Sequence, residues 1–218
     1  MTSTGGSTGR PLEILLDKDG FQREWAFMVA QWMRAGFEPG LRRATFRGVA
    51  FPAGRTIQEN PVYDELQFSP FAMTDVNLPA YVRRLKSFGP AFLYGYPSAL
   101  TILAKWVEAH PEANFPAIRG LLCGSESLRD GQREYLERVF GARLYSWYGM
   151  SEKVVLAGEC ESSNSYHAFP QYGVTELLSH REAAVTSTPS TRAGSSSVSV
   201  PMPPARQACT SLSWLNRP

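Results

Sequence analysis

A chain of 218 residues, 43% of them hydrophobic and 12% aromatic, is long enough to bury a core and too apolar for a disordered polymer. Its formal net charge of +2, with no basic stripe, argues against a nucleic-acid partner, and no apolar run approaches the ~18 residues of a membrane span. Cys123, Cys160 and Cys209 are odd in number and lack CxxC spacing, and no charged-then-apolar leader opens the chain, so a reduced, cytoplasmic protein is expected.

The chain begins with Ser3-Thr4-Gly5-Gly6-Ser7-Thr8-Gly9-Arg10-Pro11, and the composition of this stretch has two readings. Glycines let successive backbone N–H groups converge on an anion while the hydroxyls add donors. A Gly/Ser-rich terminus is equally the composition of a flexible leader. It is not a Walker A loop, because the GxxxxGK[ST] spacing and its Lys are absent.

Leu12–Leu16 reads as a short strand, followed by a helix from Gly20 to Ala35. Phe21, Trp25, Met28, Val29 and Trp32 recur there on one 3.6-residue face, and Gly36 stops it. Between Leu41 and Thr74 the pattern is irregular, with β-favouring pieces at Ala44–Phe46 and Leu66–Phe71 broken by Pro52, Pro61 and Pro70. A regular rhythm then sets in. Asp75 is a candidate cap for a helix over Leu78–Ser87. A strand at Ala91–Tyr94, a turn at 95–97, a helix at Ser98–Ala109 and a strand at Ile118–Cys123 follow. A turn at Gly124-Ser125, a helix at Asp130–Phe140 and a strand at Arg143–Trp147 complete the run. Strand–helix alternation of this kind predicts an α/β fold with a mostly parallel sheet and flanking helices, whose ligands lie at the carboxyl ends of the strands. The turns at 95–98, 124–127 and 148–152 fall at those ends.

Ser179–Pro218 differs from everything before it. Ser, Thr, Pro and Ala dominate, Lys is absent, and Arg181, Arg192, Arg206 and Arg217 face a single acidic residue, Glu182. This tail is expected to be disordered. Two origins fit its composition, a shifted reading frame in a GC-rich gene and a natural low-complexity tail. The expected organisation is therefore a folded region over 1–178 and a tail over 179–218.

Three segments bear on function when read together: Thr4–Pro11; Leu121-Leu122-Cys123-Gly124-Ser125-Glu126-Ser127-Leu128; and Tyr145-Ser146-Trp147-Tyr148-Gly149-Met150-Ser151-Glu152. Their order and spacing resemble the adenylate-forming superfamily of acyl-CoA ligases. They look most like its phenylacetate–CoA ligase branch, with its capsular-polysaccharide-biosynthesis and coenzyme-adenylating relatives. The segments are similar in turn to that family's phosphate loop, its adenine loop G-[SG]-E-x-L and its Y-G-x-[ST]-E motif.

The resemblance implies ATP-dependent activation of a small carboxylic acid, an aryl acid such as phenylacetate, followed by transfer to CoA, with Mg²⁺ as the metal. Bringing a carboxylate to the α-phosphate sets two anions against each other, so such catalysis is largely positioning and charge neutralisation. By resemblance, Ser7, Thr8 and Gly9 hold the β/γ-phosphates, Gly6 gives the loop its reach, and Thr8 and Glu152 are catalytic. Glu152 holds Mg²⁺ and Ser151 offers its hydroxyl to the α-phosphate. Tyr148 and Gly149 flank the adenine, and the backbone of Gly124, Ser125 and Glu126 lines its other edge.

Each residue also has a plainer reading. Glu152 can be a solvated carboxylate, Tyr148 a core aromatic, and Glu126 the start of the next helix, where a carboxylate meets the positive end of the dipole. Gly95–Leu100 resembles a family segment near the acyl pocket, and a strand-to-helix turn with Pro97 at the first helical position explains it as well. Cys123, Cys160 and His167 have no zinc-site spacing.

The chain also departs from the family pattern. Met1 almost abuts the phosphate loop, and no ribose-gripping Asp string or Lys-bearing C-terminal domain follows Glu176. The four lysines, 18, 86, 105 and 153, all lie within the matching region. The expectation is the partial large domain of an adenylating enzyme, inactive alone, with a complementing polypeptide as a candidate partner. The other reading is a non-catalytic nucleotide-binding remnant.

Overall fold

The computed structural model describes residues 12–174 in full and, as backbone alone, the short strands Thr2–Ser3, Leu177–Leu178, Ala184–Val185 and Ser199–Val200. The elements are β1 (Thr2–Ser3), β2 (Glu13–Ile14), α1 (Gly20–Met33), β3 (Arg43–Phe46), β4 (Ile57–Asn60), β5 (Glu65–Phe68) and α2 (Leu78–Phe88). They continue with β6 (Phe92–Gly95), α3 (Pro97–Ala109), β7 (Gly120–Cys123), α4 (Gln132–Phe140), β8 (Arg143–Gly149), β9 (Leu156–Cys160) and β10 (Ser163–Ala168). Two compact units divide the chain, Ala35–Ser146 and Met1–Arg34 with Trp147–Pro218.

In the Ala35–Ser146 unit the strands run in the order β4, β5, β3, β6, β7 and the Arg143–Ser146 half of β8. All neighbours are parallel except the edge pair β4–β5. β3, β6 and β7 are buried at every position, as inner strands of parallel sheets commonly are. Leu66, Leu93, Leu121 and Leu144 meet Leu85 of α2, Leu100 and Leu103 of α3 and Leu136 of α4 in one apolar core. Phe46 and Phe68 stack within it at 4.8 Å between centroids.

A charge pair is buried in the same sheet. Arg43 and Glu65 stand opposite each other on β3 and β5, with Nε donating to the carboxylate at 3.1 Å and both side chains almost fully covered. Thr45 also donates to that carboxylate, as do Gln67 at 2.7 Å and Asn60 at 3.4 Å, so its lone pairs are occupied.

The strand–helix alternation from residue 78 onward is present as expected, with boundaries moved by one to two residues. Three details differ. Asn77, not Asp75, precedes α2, and its side chain donates to the Ala72 carbonyl rather than accepting from the helix. The piece expected at Leu66–Phe71 ends at Phe68, because Pro70 starts a 3₁₀ turn. The edge strand β4 carries no alternating pattern and went unseen.

In the other unit, α1 packs on β9, which forms a hairpin with β10, and Trp147–Gly149 of β8 pairs antiparallel with β9. Gln31, buried on α1, donates to the Glu159 carbonyl at 2.9 Å. Phe27 sets its ring against Phe169 and Tyr172, each at 5.2 Å, and the Arg34 guanidinium lies 4.4 Å from the Phe169 centroid. α1 ends at Met33, two residues before the expected Ala35, and Gly36 follows with φ +77. The strand expected at Leu12–Leu16 is only Glu13–Ile14, and Leu15 beyond it is 83% exposed. Apart from the backbone of Ala184–Val185 and Ser199–Val200, the expectation for Ser179–Pro218 lies outside the described residues. Among the described residues, no helix is long and apolar enough to cross a membrane.

Candidate functional site

Phe46, Gly95, Cys123 and Ser146 stand in one register row across β3, β6, β7 and β8. The residues that step off β3, β6 and β7 are therefore brought to the same edge of the Ala35–Ser146 unit. They are Arg47, Tyr96 and Gly124.

Two clamps hold the turn after β7. Gly124 is buried and Ser125 exposed, the latter in the left-handed region at φ +67, which costs a non-glycine residue roughly 1 kcal/mol. The Arg47 guanidinium donates to Ser125 Oγ at 2.8 Å. On the other side, the Glu126 carboxylate accepts from the Ser98 backbone N–H at 3.0 Å and from the Ser98 hydroxyl at 2.9 Å. Ser98 lies in the first turn of α3, so the carboxylate meets the unsatisfied N–H groups and the positive end of the helix dipole. Glu126 therefore does not start the helix that follows it in sequence. Its side chain caps the one before, and α4 begins only at Gln132, after Gly131 at φ +71.

Arg47 also donates to the Tyr94 hydroxyl. Its guanidinium carbon lies 4.9 Å from the Tyr94 ring centroid and 5.7 Å from that of Tyr96. Burial pushes the Tyr94 hydroxyl pKa up, and the charge on Arg47 works in the opposite direction. The Gly48 N–H donates to the Tyr96 hydroxyl at 3.2 Å. A Cβ at position 48 would stand 3.2 Å from that oxygen and 3.7 Å from the ring of Phe71, so Gly48 permits the close approach. Phe71 is itself 84% exposed.

In the other unit, Tyr148 and Gly149 are the last two residues of β8 rather than part of the turn, which spans Met150–Lys153. Tyr148 is 45% exposed, which sets aside the core-aromatic reading. Gly149 accommodates the Trp147 indole, since a Cβ there would come within 2.7 Å of it. Ser151 is exposed and Glu152 half-buried. Lys153 anchors the turn from a left-handed conformation at φ +56. Its ammonium pairs with Glu24 of α1 and lies 4.5 Å from the Phe21 ring centroid.

Among the described residues, Glu152 has no hydrogen bond or ion pair, so its oxygens are available to a hard cation. A lone carboxylate completed by phosphate oxygens and water suits Mg²⁺, which keeps most of its water. Among the described residues, no group of three or more His, Cys, Asp or Glu gathers for a metal held by protein alone. Cys123 and Cys160 are buried thiols. The predicted phosphate-loop residues Gly6, Ser7, Thr8 and Gly9 lie outside the described residues.

Arg47 and Phe71 are absent from the sequence reading of the site, and Ser98 enters it only as part of the Gly95–Leu100 segment. Arg47 had a usable signal: it directly follows the β-favouring piece Ala44–Phe46, in the same strand-end position as the turns that were singled out. Phe71 had none, and the partner of Ser98 could not be read, because the contacts that matter come from residues 23 and 28 positions away.

In sequence the chain is similar to Protein CapK of Staphylococcus aureus, 24% identical over 155 residues that cover 68% of this chain and 34% of CapK. In structure it is similar to 2-hydroxyisobutyryl-CoA ligase in an open conformation in complex with 2-HIB-AMP and CoA. The TM-score is 0.55 at 17% identity, covering 80% of this chain and 42% of the ligase. VinN gives a TM-score of 0.50 at 18% identity over 71% of this chain and 37% of that chain. No protein-family model matches the chain. What is shared is the fold, a mixed α/β architecture found in acyl-CoA ligases. The chain spans about a third of the length of CapK and about two fifths of that of the ligase.

Proposed function

We propose that this chain forms part of the adenylating domain of an enzyme that activates a carboxylic acid with ATP and passes the acyl group to CoA. The observation that carries the reading is the doubly clamped loop Gly124–Ser125–Glu126 at the carboxyl edge of a parallel sheet, in a fold shared with a ligase solved with 2-HIB-AMP and CoA. A loop held from both sides presents its backbone in a fixed geometry, which recognition of a flat heterocycle requires. The Glu126 side chain is occupied by Ser98, so the adenine edge would be read by the loop backbone.

In this reading the carboxylate oxygen of the acid attacks the α-phosphorus of ATP and the bond to pyrophosphate breaks. The CoA thiol then loses its proton and attacks the acyl carbon, and AMP leaves. Gly6, Ser7, Thr8 and Gly9 hold the distal phosphates, with Thr8 donating to them. Tyr148 offers its exposed ring to the adenine, Gly149 keeps the backbone beside it slim, and Ser151 donates to the α-phosphate. Glu152 is the carboxylate for Mg²⁺, which when bound neutralises charge between the phosphates. The acid in this reading is an aryl acid such as phenylacetate.

Calorimetric titration of the chain with AMP, GMP, and ATP with and without Mg²⁺ tests this. The expected result is AMP binding that GMP does not reproduce and ATP binding that strengthens with Mg²⁺. Equal affinity for AMP and GMP, or no nucleotide binding at millimolar concentration, overturns the reading.

A further inference from the structure

In the turn that leaves β8, the Lys153 N–H closes on the Met150 carbonyl at 3.1 Å, so Ser151 and Glu152 are the two central residues. Lys153 follows them in the left-handed region at φ +56. Glycine adopts that conformation freely, whereas the Cβ of a lysine crowds the backbone there, and lysine lacks the short polar side chain that lets Asn or Asp tolerate it. Its side chain supplies the compensation. The stem crosses the first turn of α1, with Cδ 3.9 Å from where a Cβ on Gly20 would stand. The ammonium pairs with Glu24, one turn further along α1, and lies 4.5 Å from the Phe21 centroid. Only 9% of the Lys153 side chain and 24% of that of Glu24 are exposed, so salt and water screen the pair weakly. All of these residues belong to the compact unit that contains α1.

A strained backbone persists only where its surroundings over-determine it, and such places concentrate where geometry serves function. Here the function belongs to the neighbouring residue. Glu152 carries the carboxylate assigned above to Mg²⁺, and this inference rests on that reading. Mg²⁺ demands near-octahedral geometry, so a single protein carboxylate serves it only when held where the phosphate oxygens meet the ion. The pairing of Gly149 with Leu156 fixes the turn where it leaves β8, and Lys153 fixes its other end on α1. We infer that Lys153 is a positioning residue. Through its pair with Glu24 it holds the Ser151–Glu152 turn against α1 and sets the place of the Glu152 carboxylate for Mg²⁺ bound with ATP.

The test is calorimetric titration of the full chain with AMP and with ATP, with and without Mg²⁺, alongside melting curves. The quantity read is the Mg²⁺ gain, the factor by which Mg²⁺ strengthens ATP binding. Lys153→Gly relieves the backbone while removing the pair, Glu24→Gln removes the pair from the other side, and Lys153→Arg keeps the charge. Lys153→Gly and Glu24→Gln are each expected to cut the gain about tenfold, while AMP affinity changes by less than about twofold. Lys153→Arg keeps most of the gain. A gain that Lys153→Gly leaves unchanged overturns the inference, since the turn then needs only its backbone shape. So does Lys153→Arg doing no better than the variants that lack the pair. A loss for AMP as large as that for ATP with Mg²⁺ also overturns it, because the unit has then loosened as a whole. Should only one of Lys153→Gly and Glu24→Gln melt cooperatively, that one decides. Should neither, Glu24→Asp decides, its carboxylate set back by one methylene: a lowered gain supports the inference and an unchanged gain overturns it. A wild type whose ATP binding does not respond to Mg²⁺ overturns the assignment of Glu152 and this inference with it. A responding wild type with equally responding variants overturns this inference alone.

Discussion

Ser98 gives both its backbone N–H and its hydroxyl to the two oxygens of Glu126, at 3.0 and 2.9 Å, across 28 residues of sequence. One carboxylate thereby satisfies the first turn of α3 and fixes the turn after β7. Removing it should loosen the loop while the sheet below keeps its packing. Glu126→Ala is expected to cost about 1 kcal/mol of stability, the scale of a lost helix cap. If the loop reads the adenine, AMP affinity falls about tenfold as well. Chemical denaturation together with AMP titration checks this, and a stability loss with unchanged AMP affinity would confine Glu126 to a structural role.

Thr8 and Glu152 are expected to separate by ligand. Thr8→Ala should weaken ATP more than AMP, because the hydroxyl is assigned to distal phosphates that AMP lacks. Glu152→Gln should remove most of the Mg²⁺ dependence of ATP binding, since an amide oxygen is a weaker ligand than a carboxylate for a hard cation. Calorimetry with each nucleotide, with and without Mg²⁺, measures both. Equal losses for ATP and AMP on Thr8→Ala would refute the loop assignment.

The buried pair Arg43–Glu65 predicts a large stability effect remote from any ligand. Glu65→Ala strips the Arg43 guanidinium of a carboxylate at 3.1 Å inside the sheet, and Thr45, Gln67 and Asn60 lose their shared acceptor. Breaking one side of such a pair costs about 3–5 kcal/mol. Urea melts of the variant should show it, and a loss under about 1 kcal/mol would mean that water replaces the carboxylate readily.

Stability should depend on pH at both ends through the unit that contains α1. Burial, and next the charge on Arg34, hold the His167 imidazole below its ordinary 6.5, while Glu161 works weakly the other way. The neutral ring is thus favoured in the folded protein. That contribution is complete above pH ~6.5 and falls as the pH drops below it, because the unfolded chain takes up the proton first. The slope is at most about 1.4 kcal/mol per pH unit, and His167→Gln should flatten it. Tyr172 acts at the alkaline end: burial, and then Glu24, push its hydroxyl up to about 12. Its contribution is complete below pH ~10 and is lost as the pH rises toward 12. Tyr172→Phe should remove that loss in melts between pH 9 and ~11.

This chain, 80% of which matches 42% of 2-hydroxyisobutyryl-CoA ligase, is expected to bind nucleotide without forming thioester on its own. Rates of this chemistry rest on preorganised donors worth about 10²–10³ each, and the match covers less than half of the ligase. Incubation with ATP, Mg²⁺, CoA and a panel of aryl acids, with pyrophosphate and thioester as readouts, checks it. Turnover at ordinary enzymatic rates would contradict the expectation, and nucleotide binding without turnover fits a binding module equally well.

Local chemistry made much of this architecture legible in the sequence. The 3.6-residue apolar faces of α1 and α3, the apolar runs of β6 and β7, and Gly36 with φ of +77 are each written in a few consecutive residues. The strand-end turns, and so the Gly124–Glu126 loop, followed from alternation alone. Three things could not be read in this way. β4 takes its strand conformation from pairing with β5 rather than from its own pattern. The β9–β10 hairpin joins the wholly buried Leu156–Cys160 to the polar Ser163–Ala168, and neither alternates. The partners of Arg47 and Glu126 depend on which strands are neighbours and in what register. A side chain's periodicity is decided by residues within a turn or two of it. Whether Arg47 meets Ser125, 78 residues later, is decided by the pairing of β3 with β6 and of β6 with β7, which forms only when the sheet assembles.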